Sequence, residues 1–166
     1  MKQINANPIT SCRMKKIVYV LNPLNLKIRN LDFIRFICSQ TDSSLHAVFL
    51  DNNIVENIPD DIIQHAAIDI EKEDVLKDLE ALKERVCSAN MLRFKTAWDH
   101  YGIPCYMHRV SNSPMEEMVL ESRYADLVML DVSLSFSSRD ESIPSDFVKK
   151  FLHNAECPVI LLPVSF

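Results

Sequence analysis

The chain has 166 residues, 48% hydrophobic and 25% charged, so it is long enough for one globular domain and too apolar for a disordered one. Its formal net charge of −5 disfavours nucleic-acid binding, because an acidic surface repels the phosphate backbone. Gly102 is the one glycine, which excludes phosphate-binding and dinucleotide-binding glycine loops. No apolar run is long enough to span a bilayer, so we expect a cytoplasmic protein without membrane contact.

Strand and helix signals alternate in the first half of the chain. Residues 16–21 form a short β-branched apolar run, typical of a strand buried on both faces. Apolar residues at helical spacing predict a helix over residues 28–40, and a second apolar run predicts a strand over residues 45–50. A short helix is then predicted over residues 60–69.

The longest helical signal covers residues 73–101. Its apolar residues recur in alternating steps of four and three, which predicts one buried stripe opposite a solvated, charged face. We expect Gly102 to end this helix in a left-handed conformation. The predicted buried stripe consists of Val75, Leu79, Leu82, Val86, Ala89 and Leu92.

The second half of the chain continues the alternation. Ser113, Pro114 and Glu116 have the pattern of a capped helix start, and that helix should end near Tyr124. A third strand precedes it, and a strand, a serine-rich loop, a helix and a last strand follow. These segments cover residues 104–110, 127–130, 132–144, 147–154 and 157–164.

Strands that alternate with helices indicate right-handed crossovers and a parallel five-stranded sheet with helices on both faces. No linker or repeat divides the chain, so we predict a flexible leader over residues 1–14 and one domain over residues 15–166.

The five cysteines have no metal-binding or redox spacing, and the five histidines lack the spacing of a zinc hydrolase, so no metal site is predicted. We expect reduced thiols, with Cys38, Cys87 and Cys105 in or near the core. His46 and His108 fall in predicted strands and are interpreted as structural histidines.

A ligand cleft is expected where the carboxyl ends of the strands diverge. Residues 22–25, 51–53 and 131–138 would line it. The residues after the strands do not fit a phosphoacceptor receiver site or a flavodoxin-type phosphate loop. The serine-rich loop is either an anion-binding segment or, as we favour, a hydrophilic loop that exposes Phe136.

Three segments together resemble the universal stress protein (UspA-like) family. They are residues 16–22, residues 125–130 and above all residues 153–160, where Cys157-Pro158-Val159 precedes the last strand. The resemblance implies the three-layer α/β/α fold of adenine nucleotide alpha hydrolase-like proteins, with strand order 3-2-1-4-5, and usually a dimer. One branch of that family binds ATP through a glycine motif after the fourth strand.

That ATP motif is absent here. Its glycine positions fall near Asp131, Leu134 and Ser145, its serine or threonine position near Asp146, and an aspartate of the first strand near Asn22. A carboxylate beside a triphosphate adds repulsion where the motif supplies amide donors. We therefore expect no ATP binding and no other cofactor.

Two functions remain open. The first is a non-catalytic, universal-stress-protein-like module that acts in stress response or regulation through dimerisation and an unknown protein partner. The alternative is a small-molecule module, for example for an adenine nucleoside or nucleotide, that uses the cleft between strands one and four. The least favoured hypothesis is a hydrolase or transferase that uses a carboxylate such as Asp131. The candidate cleft residues are Asn22, Leu50, Asp131, Ser133, Ser145 and Asp146.

A homodimer is predicted through the last strand. In the implied strand order this strand lies at one edge of the sheet, and an uncharged apolar edge invites pairing with a second copy. The predicted interface residues are Val159, Ile160, Leu161 and Leu162.

Overall fold

The computed structural model describes residues 14–51, 69–111, 113–137 and 141–164, and for residues 69–76 it describes the backbone alone. Strands and helices alternate along these residues, as predicted. The elements are β1 (Lys16–Leu21), α1 (Leu31–Thr41), β2 (Ser44–Leu50), α2 (Asp69–Asp99), β3 (Cys105–Val110), α3 (Pro114–Arg123), β4 (Leu127–Asp131), α4 (Asp146–Asn154) and β5 (Val159–Leu162).

The strands form one parallel sheet in the order β3-β2-β1-β4-β5. This order confirms the predicted fold and the predicted topology. β1 lies at the centre, where Val18 is in register with His46 of β2 and Val128 of β4. β1 and β4 are almost wholly buried, which explains their continuous apolar runs. The connections leave β1 and β4 in opposite directions, so a crevice is expected at their carboxyl ends.

Two apolar clusters hold the helices to the two faces of the sheet. One face packs on α1 and α2 through residues such as Ile34 and Phe94. The other packs on α3 and α4 through Met118 and Phe151. Alternate residues of each strand enter alternate clusters, as the pleat requires.

The predicted buried stripe of the long helix is wrong. Leu82 and Leu92 are 54% and 65% exposed, whereas Cys87, Phe94 and Trp98 are buried. The physical reason is size, because burying an aromatic ring removes more apolar area from water than burying a leucine. The helix therefore turns Phe94 and Trp98 towards the sheet, and the aliphatic stripe faces elsewhere.

Helix ends agree less well with the sequence. Ser113 has a left-handed backbone (φ 40°) and makes no side-chain cap, so the predicted capping box is wrong. Ser145 caps α4 instead and accepts a hydrogen bond from the Val148 N–H at 3.2 Å. Gly102 has the expected positive φ of 65° just beyond α2. Residues 1–13, and residues 60–68 of the predicted short helix, lie outside the described residues.

The cysteine prediction is confirmed for the residues it named. Cys38 and Cys87 are buried, and Cys105 is half-buried against the first cluster. Burial raises the pKa of the Cys38 thiol to about 11, and a backbone hydrogen bond opposes this effect. Such thiols remain protonated and poorly nucleophilic at neutral pH.

Candidate functional site

Asn22 follows β1 and joins the two loops that would line the crevice. Its Oδ1 accepts hydrogen bonds from the backbone N–H groups of Leu24 and Asn25, at 2.9 and 3.3 Å. Its Nδ2 donates to the carbonyl of Ser135, in the loop after β4, at 3.1 Å. The side chain therefore stabilises the turn after β1 and ties it to the neighbouring loop.

The loop after β4 folds back onto the protein through apolar side chains. Leu134 is 5% exposed and belongs to the second apolar cluster, and the ring of Phe136 meets Phe147 edge-on at 4.8 Å between centroids. Ser145 donates a short hydrogen bond to the Leu134 carbonyl. Leu24, by contrast, is 44% exposed. The loop thus packs its own side chains at the crevice, and the N–H groups of Val132, Leu134 and Ser137 are hydrogen-bonded within the protein.

Asp131 ends β4 with a buried carboxyl group that is 5% exposed. Its Oδ1 accepts no hydrogen bond from any residue that the structure describes. Burial raises the pKa of this carboxyl group, and the nearby charges of Lys27 and Arg29 oppose that effect. The balance favours the neutral acid relative to a carboxyl group in water.

A second buried hydrogen-bond acceptor, the side-chain oxygen of Asn30, also lies beyond the carboxyl ends of the strands. Asn30 is 2% exposed, and its Nδ2 donates to the carbonyl of Pro163, just beyond β5, at 3.5 Å. Its Oδ1 also has no partner within the described parts of the chain. Lys27 donates from Nζ to Ser133 Oγ at 2.7 Å, and its carbonyl accepts from Tyr19 Oη at 3.2 Å. The environment of Asp131 is thus polar and closely packed.

The structure brings together some of the predicted cleft residues and separates others. Asn22, Asp131 and Ser133 lie at the carboxyl ends of β1 and β4, and Ser145 reaches the same loop through Leu134. Leu50 is fully buried on β2, with β1 between it and β4. Asp146 is an exposed residue in the first turn of α4, where its carboxylate pairs with Lys149 at 3.0 Å.

A buried ion-pair network at the ends of β2 and β3 was missed by sequence reasoning. Asp51 is 2% exposed and its Oδ1 lies 2.7 Å from Lys83 Nζ, while Arg109 binds its Oδ2 through Nε and Nη2. Arg109 also binds Glu84, which lowers the pKa of that carboxyl group. The signal that could have predicted the Asp51–Arg109 pair is the position of both residues at the carboxyl ends of neighbouring strands, Asp51 directly after β2 and Arg109 next to last in β3.

The histidines of the sheet, His46 and His108, contact a serine and a glutamate respectively. His46 Nε2 lies 3.4 Å from Ser44 Oγ, but the serine donates to the Lys15 carbonyl at 2.9 Å. His108 pairs with Glu121 at 3.2 Å. Within the described ranges no group of three His, Cys, Asp or Glu side chains could hold a metal ion, and no helix has the length and apolarity to cross a membrane.

Comparisons with known proteins identify the class of fold. Neither the protein-family models nor the curated proteins give a match. Solved structures do match, and several of them are universal stress proteins. One is the universal stress protein UspA from Lactobacillus plantarum, with a TM-score of 0.65 and 12% identity over 90% of this chain and 98% of that chain.

Two further structures support the same fold. Hypothetical protein MJ0577 has a TM-score of 0.63 and 13% identity, over 91% of this chain and 96% of that one. A universal stress protein in complex with cAMP has a TM-score of 0.51 and 11% identity, over 90% of this chain and 97% of that one. The chain therefore has the fold of the universal stress proteins, and the resemblance seen in the sequence is confirmed at that level.

Proposed function

We propose that the chain is a universal-stress-protein-like module that binds no ATP, catalyses no reaction and acts in a cytoplasmic stress response through dimerisation and partner contact. The observation that carries the proposal is the loop after β4. There Leu134 packs into the core, Asn22 binds the Ser135 carbonyl, and Asp131 lies where the family motif has a glycine. A triphosphate at this position would meet a carboxylate and apolar side chains instead of free N–H donors.

Calorimetric titration tests the ATP prediction. We expect no heat of binding from ATP at physiological concentration, and a micromolar dissociation constant would overturn the proposal. Phosphate release from ATP above background would contradict the non-catalytic part separately. The non-catalytic part is supported by the contacts of Ser44, whose Oγ donates to the Lys15 carbonyl at 2.9 Å and lies 3.4 Å from His46 Nε2.

The second candidate function is a small-molecule module, for example for an adenine nucleoside or nucleotide. It is favoured by the Oδ1 of the buried Asp131, which has no hydrogen-bond partner among the described residues, and by the fold neighbour that was solved in complex with cAMP. A nucleoside, or a cyclic nucleotide with one phosphate charge, would meet less repulsion at Asp131 than a triphosphate does. Equal affinities for adenosine and ATP, or a nucleoside released when the purified protein is denatured, would favour this function over the first.

The proposed dimer uses the edge of β5. The carbonyls of Pro158 and Leu162 accept hydrogen bonds from β4, so by alternation the backbone groups of Val159 and Leu161 point outward. The side chains of β5 pack into the two apolar clusters, with Ile160 in the first and Leu161 in the second, rather than standing free on both faces. Pairing would therefore depend mainly on the backbone.

Two variants test the β5 dimer by light scattering. Leu161→Lys should place like charges across the axis, and Leu161→Pro should remove one outward N–H while leaving the bonds to β4 in place. Both should lower the measured mass relative to the wild type by breaking the β5 contact, whereas Leu152→Lys on the exposed face of α4 should leave the mass unchanged. A wild-type protein that is monomeric at tens of micromolar would refute the interface.

A further inference from the structure

The long helix α2 extends well beyond the sheet that it packs on. Lys83 and Glu84 meet Asp51 and Arg109 at the carboxyl ends of β2 and β3. Near the other end of the helix, Trp98 Nε1 donates to the Ile103 carbonyl at 3.0 Å. Residues 69–82 therefore continue past the sheet edge by about 21 Å, at about 1.5 Å per residue.

An apolar stripe follows this projecting part and continues along the helix. Leu82 and Val86 are 54% and 36% exposed, Ala89 is exposed and Leu79 is half-buried. The spacing of these four residues, in steps of three, four and three, is that of the a and d positions of a coiled coil. None of the four belongs to the apolar clusters of the described structure. A projecting helix of this length is marginal in water unless it packs on a partner.

We propose that a second copy of this chain packs on this stripe with its own α2 antiparallel, about a two-fold axis between Glu80 and Ala81. This axis sets Leu79 against Leu82 of the second copy, and Val86 against position 75. Each layer then joins an a position to a d position, as in an antiparallel coiled coil.

The charged side chains along α2 favour a second copy of the chain as the partner and an antiparallel arrangement of the two helices. Residues 69–84 hold seven acidic and three basic side chains, and residues 85–99 hold one acidic and three basic ones. About this axis the mainly acidic residues 69–76 of one helix face residues 85–92 of the other, where Arg85 is the one charged side chain. The same axis places Asp78 beside Arg85 of the second copy, twice, at positions that flank the apolar layers. The two sheets then lie at opposite ends of the helix pair.

The test uses the full chain with Leu161→Lys, so that it does not depend on the proposed β5 dimer. Light scattering at about 100 μM should give the mass of two chains, and adding Leu82→Glu should give one chain with unchanged circular dichroism. Leu152→Glu, at a leucine of similar exposure on α4, should leave two chains. A single chain in the Leu161→Lys protein itself, as when another segment covers the stripe, overturns the proposal.

Charge reversal tests the register. Asp78→Arg or Arg85→Asp alone should weaken association about tenfold, because two symmetric pairs become repulsive. The double variant Asp78→Arg with Arg85→Asp should restore the original dissociation constant. Failure of the double variant to recover would contradict the antiparallel register even if the protein is a dimer.

Discussion

Replacing Phe94 tests the orientation of α2 directly. Its ring is fully buried and meets three others, at centroid distances of 6.3 Å to Tyr19, 5.5 Å to Phe49 and 6.3 Å to Trp98. Phe94→Ala removes this ring from the centre of the first cluster and should cost about 3–5 kcal/mol of unfolding free energy. With a urea slope of about 2 kcal/mol per molar, the unfolding midpoint should fall by roughly 2 M.

Leu92→Ala is the matched control on the opposite side of the same helix. Leu92 is 65% exposed, so its truncation should change the unfolding free energy by less than about 0.5 kcal/mol. Far-ultraviolet circular dichroism is the better probe, because Trp98 stacks on Phe94 and its fluorescence would respond to the mutation itself. Equal costs for the two variants would refute the orientation of α2, or show that its outer face is covered in solution.

The remaining predictions concern Asp131, two cysteines and the cap of α4. The pKa of the Asp131 carboxyl group is higher in the folded protein than in the unfolded chain, so the unfolding free energy should fall as pH rises from about 4 through the raised pKa. Asp131→Asn should therefore become more stable than the wild type between pH 4 and pH 8, as measured by urea titration. No gain in stability would mean that the carboxylate has a partner. Burial raises the pKa of the Cys38 and Cys105 thiols to about 11, so iodoacetamide at pH 8 should modify both only after unfolding, and native labelling seen by mass spectrometry would contradict their burial. Ser145→Ala should cost about 1–2 kcal/mol by removing the cap and the bond to Leu134, whereas the exposed Ser142→Ala should cost less than about 0.5 kcal/mol, and similar urea midpoints for the two would refute the role of Ser145.

The sheet could be predicted from sequence because its strands are buried on both faces. Residues 16–21 and 127–130 are continuous apolar runs, and only a strand in the middle of a covered sheet needs such a run. The strand order could not be derived from periodicity, because the same runs fit several parallel orders. It was implied by the family resemblance of residues 16–22, 125–130 and 153–160 together, and the sheet confirms it.

The buried face of α2 could not be predicted by counting apolar residues. Two stripes compete on this helix, an aliphatic one through Leu82 and Val86 and an aromatic one through Phe94 and Trp98. The spacing of four and three favoured the first. Tertiary packing selects the second, because the space above β1 and β2 accommodates the large rings beside Tyr19 and Phe49. When a helix has two candidate apolar stripes, its buried face can be assigned only if the surface that it packs on is known.

The loop after β4 has no glycine among its described residues, and its conformation depends on where its side chains pack. A glycine brings backbone N–H groups close to a phosphate, whereas a side chain at the same position must itself be placed somewhere. Here the Leu134 side chain packs in the second cluster and Ser145 donates to its carbonyl, so these contacts fix the backbone at Leu134. Asn22 secures the neighbouring turn through Ser135. Introducing one glycine, as in Asp131→Gly, would remove the carboxylate but leave these contacts, so we expect no measurable ATP binding by this variant in calorimetry.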